Sequence, residues 1–148
     1  VISYQIKGNI SKVLNEKNGK ALLAMATQLK MSSRDIVESA QDNHKYISRT
    51  GNLDNSIQWE SRGQFQTAIG LDTNKAPYAD FQHEGTKAHS IKPRDKKALR
   101  FVGNSGRFFF SKGHKVSGIK KDQFIYGAFR RLKNKVDLDF KNVLEKVF

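Results

Sequence analysis

A chain of 148 residues without a cysteine is long enough to bury a core unaided, and it excludes disulfide staples, cysteine-ligated zinc and cysteine nucleophiles together. Lys and Arg outnumber Asp and Glu by 27 to 14, a formal net charge of +13, which points to a polyanionic neighbour. No stretch approaches the roughly 18–20 apolar residues of a membrane span, and Val1 to Gly8 lack the basic-then-apolar layout of a signal peptide. The composition therefore predicts one soluble, unexported, intracellular domain spanning 1–148, with no membrane partner.

The first third reads as helix over residues 9–45. Leu22, Met25, Ala26, Leu29, Ile36, Val37 and Ala40 recur at spacings of three and four and draw one apolar stripe. Asn18-Gly19 is a candidate interruption, and Ser32 or Ser33 a candidate cap for a second segment. After Tyr46 the period falls to two. Ile57 and Trp59, then Phe65, Ile69 and Leu71, predict two strands joined at Ser61-Arg62-Gly63.

Tyr78 to Gly85 suggests a short helix packed by Tyr78 and Phe81 and ended by Gly85. A second hairpin is expected where Leu99 and Phe101 lead into Gly103-Asn104-Ser105-Gly106 and then Arg107 to Ser111. Helical spacing returns over 122–147 with Phe124, Ile125, Ala128, Phe129, Leu132 and Val136, and Asp122 is placed to cap it. The expected fold is α+β: a long N-terminal helix, a four-stranded antiparallel sheet made of two hairpins within 55–121, and a C-terminal helix packed on the sheet.

The charge is local. Between Lys87 and Lys121 eleven basic residues meet the single acid Asp95, which is +10 of the +13. The segments Thr86 to Lys97 and Lys112 to Lys121 are rich in loop formers, the kind of sequence through which small domains meet partners. Three things can neutralise them: nucleic acid phosphates, an acidic protein face, or solvent counterions. Phe108-Phe109-Phe110 beside Arg107 and Lys112 is similar to the aromatic platforms of single-strand binders, but strand alternation predicts Phe108 and Phe110 buried and Phe109 turned outward toward a neighbouring subunit.

Catalytic patterns are sparse. His83, Glu84 and His89 do not have the spacing that places two imidazoles on one helical face for a metal. His44 and His114 stand in loop-like sequence with no carboxylate at a recognisable spacing and are read as solvated. Asp54, Asp72, Asp80 and Glu84 are scattered along the middle of the chain, and no Gly-rich phosphate loop is present. The expectation is a non-enzyme without cofactor or metal.

Arg49-Thr50-Gly51-Asn52-Leu53-Asp54-Asn55-Ser56-Ile57 resembles a "TGxLxxSI" motif, and Tyr78-Ala79 followed by His83-Glu84-Gly85-Thr86 resembles "YAxxxExGT". Ile91-Lys92-Pro93 with Lys97-Ala98-Leu99-Arg100-Phe101 is similar to "I.P...KAL.F". In this order, over Arg49 to Arg131, they resemble the tail-completion proteins of tailed bacteriophages, also called minor tail or virion-morphogenesis proteins. Ser117-Gly118 stands where members often carry His-Pro-Gly.

The resemblance implies a structural virion protein of the neck, assembled in the bacterial host cytoplasm as a ring of six between the head-side connector or stopper and the tail terminator or tail tube. Non-specific contact with DNA in the channel is a further expected interaction. Thr50, Gly51, Leu53, Ser56, Tyr78, Ala79, Glu84, Gly85, Thr86 and Pro93 are then structural motif residues. The ring contacts are expected at the sheet edges and at Phe109, Lys92, Arg94, Lys96, Lys97, Lys112, Lys115, Lys120 and Lys121. The competing class is a basic nucleic-acid-binding module using the loops at 87–97 and 112–121.

Overall fold

A computed structural model describes residues 2–5, 19–103 and 105–147. In chain order they form β1 (Ile2–Gln5), α1 (Gly19–Asp42), α2 (Asn52–Ser56), β2 (Ile57–Gly63), β3 (Gln66–Leu71) and α3 (Ala79–Glu84). There follow β4 (His89–Ile91), β5 (Leu99–Val102), β6 (Phe108–Ser111), β7 (His114–Val116) and α4 (Phe124–Val147). The fold is α+β, with long helices near both ends of the chain and small antiparallel sheets between them.

The apolar stripe of α1 is buried as its spacing predicts, with Met25, Ala26, Leu29, Ile36 and Ala40 all inside. Residues 9–18 of the predicted helix lie outside the described residues, as does the candidate interruption at Asn18. Ser32 and Ser33 do not cap a second segment. The helix runs through them because the Ser33 hydroxyl donates to the Leu29 carbonyl within the helix, at 2.9 Å, and meets the Thr67 hydroxyl of β3 at 2.6 Å. Both serines are buried. The helix stops at Asp42 rather than residue 45, since the N–H groups of Lys45 and Tyr46 donate to the Asp122 carboxylate.

The principal core joins Ile36 and Ala40 of α1, Leu53 of α2, Ile57 and Ile69 of the sheet, Ala76, Ala79, and Phe124, Ile125 and Ala128 of α4. A smaller cluster packs Ala21 and Met25 against Phe65, Phe140 and Val143. The long helices are also tied at their surface. Lys135 sits 2.6 Å from Asp35, a hydrogen bond that holds the lysine above its ordinary pKa, and Arg131 donates to the Ser39 carbonyl at 2.9 Å.

Both predicted hairpins form, but they do not share a four-stranded sheet. β3 is the centre of a three-stranded sheet ordered β1-β3-β2, while β5–β6 and β4–β7 are separate two-stranded ribbons. The reason lies in the pairing. The edge of β3 left open by β2 is taken by β1, and β4 pairs with β7 around the second hairpin. The first turn also moves: β2 continues through Gly63 with a register shift between Ser61 and Gly63, so the chain reverses at Gln64-Phe65, where Phe65 reaches the smaller core cluster.

Candidate functional site

The segment between α3 and α4 is an arm without a core. From Glu84 to Lys121 no described residue is buried. Its root is a crossing of two extended strands of backbone. Thr86 N–H donates to Ile119 O at 2.9 Å, and Ile119 N–H returns to Thr86 O at 3.2 Å and to the Thr86 hydroxyl at 2.9 Å. Gly85 has φ +76 and Gly118 φ +80. A Cβ on Gly85 would stand 2.8 Å from Ile119 O, and one on Gly118 2.7 Å from the Lys87 carbonyl carbon. Glycine is needed at both places for the backbones to approach.

Beyond the root the arm has two layers. In β4–β7, Ser90 faces Lys115, while His89 faces Val116 and Ile91 faces His114; residues directly opposite share a face. Lys92 continues the Ser90–Lys115 face. In β5–β6, Phe101 faces Phe109 on one side, while Arg100 faces Phe110 and Val102 faces Phe108 on the other. The layers meet where Phe101 lies 5.7 Å from the His114 ring. One outer face of the arm thus carries Lys92 and Lys115, and the opposite outer face carries Arg100, Val102, Phe108 and Phe110.

The alternation expected for the phenylalanine run is present and Phe109 is exposed as expected, at 47%, but the burial expected of Phe108 and Phe110 is absent. Phe109 stacks on Phe101 at 5.8 Å and covers Gly103, where a Cβ would come within 3.0 Å of Phe109 Cδ2. Phe108 and Phe110, expected inside, are 56% and 70% exposed, and Val102 is 59% exposed. The ribbon has nothing packed on its far side, so the residues turned from Phe101 are left to solvent. The Arg100 guanidinium lies 4.7 Å from the Phe108 ring centroid, a cation–π contact that covers one ring face.

The predicted cationic contact residues Lys92, Arg94, Lys96, Lys97, Lys112, Lys115, Lys120 and Lys121 are all exposed on this arm, and Pro93 is half-buried between them. Among the described residues, none of the eleven cations from Lys87 to Lys121 is in an ion pair. Two loops that are distant in sequence are thereby brought together.

The motif residues occupy joints. Gly51, at φ +70, starts α2, and Thr50 Oγ1 accepts from Asn52 N–H at 3.5 Å. Leu53 and Ser56 are buried, and the Ser56 hydroxyl donates to Leu53 O at 2.6 Å. In α3 the inward residues are Ala79 and His83, one turn apart on one helical face. Tyr78 and Phe81, expected to pack this helix, are exposed because they lie off that face. Asp80 and Glu84 are exposed beside them.

His83 is buried. Its Nδ1 is 2.7 Å from Glu84 Oε1, its ring meets the edge of Phe124 at 4.8 Å, and Nε2 has no hydrogen-bond partner among the described residues.

The loop after α1 is organised by two carboxylates. Asp122 does not cap α4 with its side chain; it accepts from the backbone of Lys45 and, at 3.1 Å, Tyr46. Asp54 accepts from the hydroxyls of Tyr46 and Ser48. It also lies 3.6 Å from Nε2 of His44, which is stacked on Tyr46, so this histidine too is not solvated. Burial, then the bond to Asp54, pushes the Tyr46 phenol well above its ordinary pKa. Spacing alone does not reveal these contacts, because Asp122 and Tyr46 are 76 residues apart.

Asp54, Asp72, Asp80 and Glu84 do not converge. Asp72 serves its own turn, accepting from Asn74 N–H at 3.0 Å, and Glu84 turns to His83. Among the described residues no group of three or more His, Asp or Glu is placed to hold a metal. No described helix is long and apolar enough to cross a membrane. No family model, curated protein or solved structure matches the chain.

Proposed function

We propose that the protein is a structural subunit of the neck of a tailed bacteriophage, a tail-completion or head–tail joining component that acts by assembly and not by catalysis. Copies associate head to tail into a ring between the head-side connector and the tail tube. The observation that carries this reading is the outer aromatic face of the arm. Val102, Phe108 and Phe110 form an uncovered apolar patch on a segment that buries nothing of its own. Covering the exposed half of each such side chain is worth about 1 kcal/mol, half the value for complete burial.

A ring requires one face of each copy to meet a different face of the next. α3 offers a complementary surface. It exposes Tyr78 and Phe81 with the acids Asp80 and Glu84, against the arm's Phe108, Phe110, Val102 and Arg100. Aromatic meets aromatic and acid meets base, and the arm of one copy docks on α3 of its neighbour. The resemblance of the Thr50–Ile57 and Tyr78–Thr86 segments to the tail-completion motifs supports the same reading, since those residues build the joint after α1 and the root of the arm.

The test uses heads and tails assembled without this protein. Mixed with the purified chain and viewed by negative-stain electron microscopy, they are expected to join. Heads and tails that remain apart in excess protein would refute the neck assignment.

A further inference from the structure

The two lysine-rich segments of the arm are chemically unlike its aromatic hairpin. The two chain segments flanking the aromatic hairpin, 85–92 and 112–121, are zipped by β4–β7 and by the Thr86–Ile119 pair. Together they hold Lys87, Lys92, Lys112, Lys115, Lys120 and Lys121 and no acid. All six lysines are exposed and none is ion-paired among the described residues. Gly113, at φ +145, brings the two loops into contact: a Cβ there would lie 3.4 Å from Lys92 Cγ and 3.1 Å from Ile91 O.

Some cations elsewhere are paired, as Lys135 with Asp35, Arg62 with Glu60 and Lys141 with Glu145. On these two segments, like charges are gathered with no acid among them.

We infer that these paired lysine-rich segments form a binding surface for the phosphate backbone of duplex nucleic acid. Three features select that occupant. The cations on the zipped ribbon are lysines, which meet phosphates as point charges and do not read bases in the forked geometry of arginine. The two segments hold no Phe, Tyr or Trp, and single strands are held by aromatic stacking platforms. Protein interfaces are depleted of lysine and anchored by buried aromatic or arginine side chains, and the two segments hold no Phe, Tyr, Trp or Arg.

The inference does not depend on ring formation. The two claims use different parts of the arm, the aromatic hairpin for another copy of the chain and the lysine-rich segments for phosphate.

The experiment is fluorescence anisotropy of the full chain with a labelled duplex that has room for one chain, repeated over a salt series. Two triple variants, K92A/K112A/K115A and K20A/K30A/K133A, remove the same charge from exposed positions on the arm and on the helices. Circular dichroism confirms that both are folded. The wild type is expected to bind with a log affinity that falls linearly with log salt. The arm triple flattens that slope by about 0.9 for each phosphate it no longer neutralises and weakens binding about tenfold or more at low salt, while the helix triple keeps the wild-type slope.

Absence of duplex binding at low salt would overturn the inference, and so would equal losses in the two triples, which would reduce the effect to net charge. Tighter binding of a single strand than of the duplex overturns it as well. So does binding of anionic phosphatidylserine vesicles without binding of duplex. F108S/F110S separates the two claims: it is aimed at the aromatic face and leaves duplex binding in place, and loss of duplex binding in that variant with all lysines intact would move the phosphate site off the lysine-rich segments.

Discussion

Ser33 of α1 and Thr67 of β3 share a buried hydrogen bond of 2.6 Å between their hydroxyls. The Ser33 proton is committed to the Leu29 carbonyl, so Thr67 is the donor in the pair. Ser33→Ala strands the Thr67 hydroxyl in the interior and is expected to destabilise the fold by about 1–3 kcal/mol. Thr67→Val removes the other partner. Because replacing both polar groups leaves neither unsatisfied, the double variant should be more stable than the sum of the single losses, measured by denaturant unfolding.

Tyr46 gives a pH dependence. Its pKa is raised in the fold by burial and by the bond to Asp54, so the neutral phenol is favoured in the native state. Its contribution is fully present below the unfolded tyrosine value of about 10 and is lost as pH rises from there toward the folded value. Wild-type stability should therefore fall more steeply above that pH than the stability of Tyr46→Phe. The excess slope approaches about 1.4 kcal/mol per pH unit. Identical slopes in the two proteins would mean that Tyr46 ionises equally well folded and unfolded.

Gly118→Ala tests the root of the arm. The residue has φ +80, and its added Cβ would meet Thr86 and Lys87 backbone, so the two strands must separate. The expected result is local: hydrogen exchange at the Thr86 and Ile119 amides accelerates, while the Ile69 amide in the core keeps its protection. A change confined to the core, with the root protected, would show that the crossing does not hold the arm.

The helices were legible because burial and spacing agree: the stripes of α1 and α4 are inside, and Gly85 ends α3 as its position suggests. The partition of the strands was not legible. Both hairpins carry local signals, but nothing local says that β1 takes the open edge of β3, or that β4 and β7 close a ribbon around β5–β6. The same gap misplaced Phe108 and Phe110. Alternation assigns them to one face, but whether that face is covered depends on what packs on it, and the ring contact between the two ribbons, Phe101 to His114, lies on the other side. The charge of the arm is visible in composition; the pairing of β4 with β7 that brings its two lysine-rich segments together is not. The contacts of Asp54 and Asp122 with Tyr46 are long-range or loop-borne and follow no repeating period.

The proposed docking of the arm on α3 predicts a charge relationship between copies. Arg100→Glu should weaken self-association, and Asp80→Lys should weaken it as well. Combining the two restores part of the loss, because the reversed pair is again opposite in sign. Mixing the two single variants gives a second readout, since one arm then meets a matching α3 across the interface. Additive losses with no recovery would place Asp80 away from the arm.

Sedimentation velocity of the wild type and of F108S/F110S over a concentration series addresses assembly through the aromatic face most directly. Both side chains are exposed in the single copy, so the double variant keeps its fold by circular dichroism. The wild type is expected to form a discrete closed oligomer as concentration rises, while F108S/F110S stays a single copy. A wild type that remains a single copy at every concentration, or a double variant that assembles as well as the wild type, would contradict the assignment of that face to the neighbouring subunit.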